Sequence, residues 1–189
     1  GGSGVQPTHV LRFEVLALDR KTGQEVWRQV AGEEMPHTGR KAEGSWASPS
    51  GVTDGEHLFA FFGSYGLYCY DLDGNLKWQK DFGDLQVYRG FGEGSSPALF
   101  GNTLVVNWDH EEGSFIVALD KATGKELWRN GRDEGTTWST PSIVDRGGKP
   151  QVIVPATYKN RGYDLATGAL VWEGPGLTRN VIPAPVYAD

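Results

Sequence analysis

The sequence predicts an all-β protein built from repeated four-stranded units, and two repeated motifs predict it together with regularly spaced apolar segments. The first is a turn motif, in which an Asp is followed by a Gly and, four residues after the Gly, by a Trp. It occurs four times, at Asp19, Gly23 and Trp27; Asp71, Gly74 and Trp78; Asp120, Gly124 and Trp128; and Asp164, Gly168 and Trp172. A second, proline motif runs in phase with the first and ends at Pro49, Pro97, Pro141 and Pro185.

The period of the two motifs limits the fold to a few repeat architectures. The tryptophans are 51, 50 and 44 residues apart, and the prolines are 48, 44 and 44 residues apart. Self-similarity at roughly 40 to 50 residues is typical of propeller blades and of helical solenoids. No segment supports an amphipathic helix, whereas aromatic and β-branched segments alternate with Gly, Asn and Asp clusters about every eight to twelve residues. The sequence therefore favours a β-propeller of about four blades per chain.

The strands of each unit follow in order along the chain. The first unit, 10–30, supplies only RFEVLALD and QEVWRQV, which we interpret as the last two strands of a blade. The units at 47–83, 95–133 and 139–174 each supply four short segments and are expected to be complete blades. Residues 183–189 are expected to form the first strand of a closing blade. Residues 1–4 are interpreted as an expression linker, which leaves 5–189 for the propeller.

The middle strands of the blades indicate burial on both faces. Residues 58–62 and 115–119 are apolar at successive positions instead of alternating with polar residues. A continuous apolar run in a short strand is consistent with cover on both faces of the sheet. Blades stacked face to face around an axis provide that cover.

The turn motif is explained by hairpin chemistry. The Asp side chain can accept hydrogen bonds from the backbone two residues on, a following Thr reinforces the turn, and the Gly adopts the left-handed conformation. The second copy is one residue shorter between Asp71 and Trp78, and its Asp-Gly pair suits a tighter turn. Each Trp lies on the last strand of its blade, where a large flat ring can fill the wedge between neighbouring blades.

These residues carry a resemblance to the PQQ-like (pyrroloquinoline quinone repeat) β-propeller family, whose blade signature is ALDxxTGxxxW. The segments LALDRKTGQEVW and VALDKATGKELW match it closely, GYDLATGALVW nearly so, and CYDLDGNLKW as a variant. The family includes quinoprotein dehydrogenases and cofactor-free propellers, and the chain most resembles the cofactor-free bacterial proteins. The resemblance implies a non-catalytic scaffold or protein-interaction module in a periplasmic or secreted setting.

The number of blades raises the question of how the ring closes. Family propellers typically have seven or eight blades, and this chain has residues for about four. We expect two copies to close an eight-bladed ring as a homodimer, each copy completing a blade of the other. A four-bladed ring closed within one chain is the alternative. Without either closure, open strand edges and apolar blade faces would favour aggregation.

Composition excludes several partner classes. The 18 basic and 24 acidic residues give a net charge of -6, which argues against a nucleic-acid partner. No apolar run is long enough for a membrane span.

The single cysteine, Cys69, cannot form a disulfide within the chain and is expected to be a small buried side chain.

The best candidates for a ligand or partner surface are in the segments just before each proline motif. These segments lead into the innermost strands and are expected to surround the central channel on one face. The candidate residues are Trp46, Glu93, Trp138, Arg179 and Asn180. The alternative is that they satisfy loop backbone groups and pack neighbouring blades.

No catalytic, cofactor-binding or metal-binding residue is predicted. The resemblance implies that a quinoprotein site would use adjacent cysteines in many members, and Cys69 stands alone. The loop 108–113, WDHEEG, has three carboxylates without the spacing of a known calcium loop and is expected to be a solvated turn. A cofactor-dependent or hydrolytic enzyme whose site forms only when the ring closes remains the alternative function.

Overall fold

The computed structural model describes residues 4–187, and within them the chain folds into four antiparallel sheets. The N-terminal sheet has two strands, and each of the next three has four strands arranged in chain order. The strands are β1 (Leu11–Leu18) and β2 (Glu25–Glu34); β3 (Val52–Thr53), β4 (His57–Phe61), β5 (Leu67–Asp71) and β6 (Leu76–Lys80); β7 (Ala98–Phe100), β8 (Thr103–Trp108), β9 (Phe115–Asp120) and β10 (Glu126–Gly131); and β11 (Ser142–Asp145), β12 (Pro150–Val154), β13 (Lys159–Asp164) and β14 (Leu170–Pro175). The predicted all-β propeller fold is confirmed.

Each hairpin with a turn motif is closed by the Asp side chain and a left-handed Gly. Asp19 Oδ1 accepts hydrogen bonds from the backbone N–H groups of Lys21 and Thr22, at 3.0 and 2.8 Å. In the third and fourth sheets the Asp accepts from the backbone and hydroxyl of the Thr three residues on. The four turn glycines have φ between +69° and +86°, a region that glycine enters at little cost because it has no Cβ.

The core consists of three apolar layers, one between each pair of neighbouring sheets. Phe13 and Val15 of β1 pack against the second sheet, and Phe59 and Leu67 of that sheet pack against the third. The third and fourth sheets enclose another layer that contains Val105, Ile116, Ala118, Val152, Val154, Tyr163 and Leu165. The middle strands are apolar at successive positions because these layers cover both faces of the interior sheets.

The tryptophans of the turn motif join one sheet to the next. The indole Nε1 donates to the backbone oxygen of the residue that follows the turn Asp of the next sheet. These contacts are Trp27 to Leu72 O at 2.8 Å, Trp78 to Lys121 O at 2.9 Å, and Trp128 to Leu165 O at 2.8 Å. The ring also lies on the turn Gly: a Cβ added at Gly74, Gly124 or Gly168 would lie 2.8, 2.7 or 2.6 Å from it. The turn glycine therefore also makes room for a neighbour's indole.

The two ends of the stack are open in the structure. Within residues 4–187, β1 pairs only with β2, and residues 183–187 form no strand. These last residues lie beside the fourth sheet, where Ser142 Oγ donates to Pro185 O at 2.6 Å. Within residues 4–187, the structure therefore does not pair the C-terminal segment with the first sheet. The predicted closing strand reaches to residue 189, and 188–189 lie outside the described residues.

The predicted linker is largely outside the described part of the chain. Residues 1–3 are not described, and Gly4 donates its N–H to Arg89 O at 3.0 Å. The neighbouring residue Val5 forms a β-bridge with Arg40.

Candidate interaction site

The loops that lead into the innermost strands are hydrogen-bonded to one another at one end of the sheets. Ser50 N donates to Ser96 Oγ at 2.8 Å, and Ser96 N donates to Thr140 Oγ1 at 3.0 Å. Ser139 Oγ then donates to Pro183 O at 2.8 Å. Because the second and third copies of the proline motif bring small hydroxyl residues to these loops, the loops of successive sheets are joined in sequence.

A cleft of about 350 Å³ opens between these loops. We call it the loop cleft, and its apolar wall contains Phe91, Trp138 and Ile182. Lys41 and Glu43 also line it, and the Lys41 Nζ lies 5.0 Å from the centre of the Phe91 ring. An apolar wall with charged residues beside it suits contact with a polypeptide segment.

Trp138 is held in place as one wall of the loop cleft. Its Nε1 donates to Gly92 O at 2.6 Å, and its backbone N–H donates to Val181 O at 2.9 Å. The ring lies against Gly94, where an added Cβ would be 3.0 Å from it. The indole donor is thus used within the protein, and what Trp138 presents to the loop cleft is its apolar ring.

Glu93 also lines the loop cleft, but its carboxylate is directed into the protein. The side chain accepts hydrogen bonds from Ser64 N at 2.7 Å and Ser64 Oγ at 2.6 Å. Burial raises the pKa of Glu93 to about 7, against the lowering effect of the Ser64 hydrogen bonds. Glu93 therefore ties the loop 81–97 to the β4–β5 turn.

The other three candidate residues lie in different places, and only one of them lines the loop cleft. Asn180 lines the loop cleft, has a left-handed φ of +65° and is exposed. Arg179 and Asn180 also line a neighbouring cavity of about 60 Å³, where the Arg179 guanidinium lies 5.9 Å from the Tyr88 ring. Trp46 donates its Nε1 to Thr38 O at 2.9 Å and packs against the layer between the first two sheets. The structure thus brings together Glu93, Trp138 and Asn180, with Arg179 beside them.

Lys41, Phe91 and Ile182 also line the loop cleft, and none of them was among the candidate residues predicted from the sequence. Ile182 lies in one of the segments before the proline motifs, but tryptophan and polar residues were favoured within those segments. Lys41 and Phe91 lie just before the segments that begin at residues 43 and 92, so the segments were drawn too short to include them.

The expectation that 108–113 forms a solvated turn is wrong for its first half. Asp109 and His110 are buried, and Asp109 pairs with Arg132 at 2.7 Å with both side chains fully buried. Arg132 also donates to the Tyr163 hydroxyl at 2.7 Å, which links the third sheet to the fourth. His110 Nδ1 accepts from Gln86 N at 3.1 Å, and burial lowers the pKa of His110. The loop is polar because it forms internal bonds between blades.

Two of the polar groups at the loop cleft are already engaged and are not available to a quinone held with a cation. The carboxylate of Glu93 is bonded to Ser64, and the indole donor of Trp138 is bonded to Gly92. Cys69 is fully buried between two sheets, and burial raises the pKa of its thiol to about 11. Among residues 4–187, no group of three or more His, Cys, Asp or Glu side chains is arranged to hold a metal ion.

The repeated sheets, the turn motif and the interlocking tryptophans together define a β-propeller with PQQ-type repeats. A family model described as "Outer membrane protein assembly factor BamB" matches residues 12–181. The chain belongs to this family. No helix within the described residues is long and apolar enough to cross a membrane.

A curated relative matches half of the chain. The outer membrane protein assembly factor BamB of Francisella salina is 32% identical over 96 residues, which make up 49% of this chain and 16% of that protein. The matched region is therefore a small part of the relative's length.

Solved structures with the same fold come from proteins of different function. BamB from Moraxella catarrhalis has a TM-score of 0.59 at 20% identity, with 97% of this chain and 54% of that chain covered. Quinohemoprotein alcohol dehydrogenase from Comamonas testosteroni has a TM-score of 0.59 at 13% identity, covering 92% and 35%. The computationally designed Ika8 protein has a TM-score of 0.59 at 14% identity, covering 92% and 46%. These similarities show the fold, and a fold does not by itself determine function.

Proposed function

We propose that the chain is a non-catalytic PQQ-like propeller module that acts as a scaffold for protein partners and assembles with a second copy into an eight-bladed ring. Membership of a family described as an outer membrane protein assembly factor supports the scaffold role. The same description supports a periplasmic or exported location. Fractionation of cells that produce the protein, followed by immunodetection of the chain, tests the location.

The observation that carries the assembly proposal is the open face of the first sheet. Val117 and Leu119 lie three and one residues before the turn Asp of the third sheet, and both are fully buried by the second sheet. Leu16 and Leu18 hold the same places before Asp19, and they are 42% and 57% exposed. The first sheet thus presents an apolar face of the type that another blade covers elsewhere in the chain.

The fold neighbours support a half-ring. This chain aligns over nearly all of its length with 54% of one propeller chain and 46% of another. Two copies would supply about as many blades as those chains have. The blade shared at each junction would then contain β1 and β2 of one copy and the segment from Pro183 of the other.

The loop cleft is the proposed surface for a protein partner. Its apolar wall, formed by Phe91, Trp138 and Ile182, is accessible, and Lys41 and Glu43 provide charges of both signs beside it. The polar groups of Glu93 and Trp138 are already bonded within the protein. Recognition there would therefore depend on apolar contact with a polypeptide segment, with the charges setting its orientation.

Light scattering across a dilution series tests the assembly. We expect a mass near twice 20.7 kDa that persists on dilution. A monomer that unfolds cooperatively would contradict the two-copy ring. A mass that rises steadily with concentration would indicate open chains of propeller fragments and would also contradict it.

A cofactor-retention experiment tests the absence of quinoprotein activity. The assembled protein is incubated with pyrroloquinoline quinone and Ca²⁺ and then dialysed. We expect no quinone absorbance to remain, because the Glu93 carboxylate and the Trp138 indole N–H at the loop cleft are bonded within the protein. Retained absorbance at one quinone per chain would show that a cofactor site forms on ring closure.

A further inference from the structure

The four turn motifs form three copies of the same contact between sheets. In each contact, the indole of one sheet donates to the backbone oxygen after the turn Asp of the next sheet and lies on that sheet's turn Gly. The contact always runs in one direction, from the last strand of a sheet to the turn of the sheet that follows. A chain with four motifs therefore has one indole and one turn left over.

The unused turn is in the first sheet. Gly23 has the left-handed φ of +71° shared by the other turn glycines, but a Cβ added to it would have nothing within 4 Å. The residue after the turn Asp is Arg20, whose backbone oxygen corresponds in position to those of Leu72, Lys121 and Leu165. The turn thus presents an open recess and an acceptor for an indole.

The unused indole is in the last sheet. Trp172 is 39% exposed and donates its Nε1 to Gln151 Oε1 at 3.0 Å, within its own sheet. Its ring lies over Gly162, which leaves room for it. This arrangement differs from that of Trp27, Trp78 and Trp128, which all reach across to the next sheet.

We infer that Trp172 binds the Asp19–Gly23 turn of a second copy of this chain. In the bound state the indole leaves Gln151, lies on Gly23 of the second copy and donates to its Arg20 backbone oxygen. The inference rests on the proposed two-copy ring and names the contact that forms it. Leu18, which precedes Asp19, is covered by the same contact.

The second copy is the fitting occupant because the two unused groups are complementary and do not meet within residues 4–187 of one copy. Each copy carries one indole and one turn. Two copies related by a twofold axis therefore form the contact twice and leave neither group unused. A protein of other chemistry would have to reproduce both the recess and the indole.

Gly23→Asn tests the contact. Asn tolerates the left-handed conformation better than most residues, and the open space at Gly23 accommodates its side chain in a single copy. In the bound state its Cβ would lie as close to the indole as at the three interior glycines, where an added Cβ is 2.6 to 2.8 Å from the ring. Overpacking of this kind weakens a contact by roughly 5- to 150-fold. Because the dimer contains the contact twice, we expect its dissociation constant to rise by at least about 25-fold.

Gly113→Asn is the matched control. Gly113 has the same φ of +71° and also has nothing within 4 Å of an added Cβ, but it lies in the turn between β8 and β9 of an interior sheet. We expect this variant to dimerise like the wild type. If both variants lose the dimer equally, the effect comes from the backbone substitution, and the proposed contact is wrong.

Trp172→Ala tests the contact from the other side and does not depend on the fold of the Gly23 variant. Leu170→Ala on the same strand is its control, since Leu170 is also exposed. We expect Trp172→Ala to give folded monomers by light scattering and circular dichroism, while Leu170→Ala remains a dimer. A wild-type monomer would overturn the proposed ring together with this inference. A wild-type dimer that persists in both Gly23→Asn and Trp172→Ala would leave the ring in place and overturn only the contact.

Discussion

Trp128→Ala is expected to lower the free energy of unfolding by about 3–5 kcal/mol, the range for truncating a packed aromatic side chain. The ring lies on Gly168, packs against the layer between the third and fourth sheets and donates to Leu165 O at 2.8 Å. Its loss removes this packing and leaves a backbone acceptor without its partner. The ring is only partly buried, so the lower half of the range is the more fitting expectation.

The control is Leu127→Ala, one residue earlier on β10. Leu127 is 51% exposed, and we expect its truncation to cost about 1 kcal/mol or less because surface changes rarely cost more. Urea unfolding followed by circular dichroism, at one protein concentration for all proteins, measures both values. Equal losses for the two variants would show that the indole does not join the blades in the way described.

Three further predictions concern two buried polar groups and one turn glycine. Asp109→Asn leaves the buried guanidinium of Arg132 without its ion-pair partner and should cost about 3–5 kcal/mol in urea unfolding. Burial raises the folded pKa of Glu93 from 4.5 to about 7, so its contribution to stability is full below pH about 4.5 and is lost as the pH rises to about 7. That loss is about 3 kcal/mol, and Glu93→Gln should remove this component of the pH dependence. Gly124→Asn, which meets a neighbouring indole, should cost about 1–3 kcal/mol more than Gly101→Asn, which meets open space.

The fold could be predicted because its determinants recur. The turn motif and the proline motif gave the period, and the short apolar segments between them could be strands but not helices of useful length. Each of these signals is local in sequence and appears several times. Even so, the contact of each Trp with the next sheet's turn was not predictable in detail, because its partner lies 37 to 45 residues away.

The surroundings of the candidate residues were harder to predict. Glu93 was expected on one face of the sheets, but the sequence could not show that its carboxylate bonds to Ser64, 29 residues away. Asp109 looked like part of a solvated loop because its neighbours are charged. Its burial depends on Arg132, which is 23 residues further along the chain. Polar residues are buried where a distant partner satisfies them, and a single sequence does not display that pairing.

The turn glycines meet two separate requirements, and the distinction bears on how the chain assembles. The left-handed backbone alone does not demand glycine, since Arg89 and Asn180 have φ of +55° and +65° in this protein. The second requirement, space for an indole, excludes every side chain, and it applies at Gly74, Gly124 and Gly168. At Gly23 only the backbone requirement applies within one copy, because an added Cβ would have nothing within 4 Å. The turn nevertheless leaves the space that an indole would need. In the proposed two-copy ring, this turn of the first sheet would receive Trp172, the motif tryptophan that contacts no turn motif within the described residues.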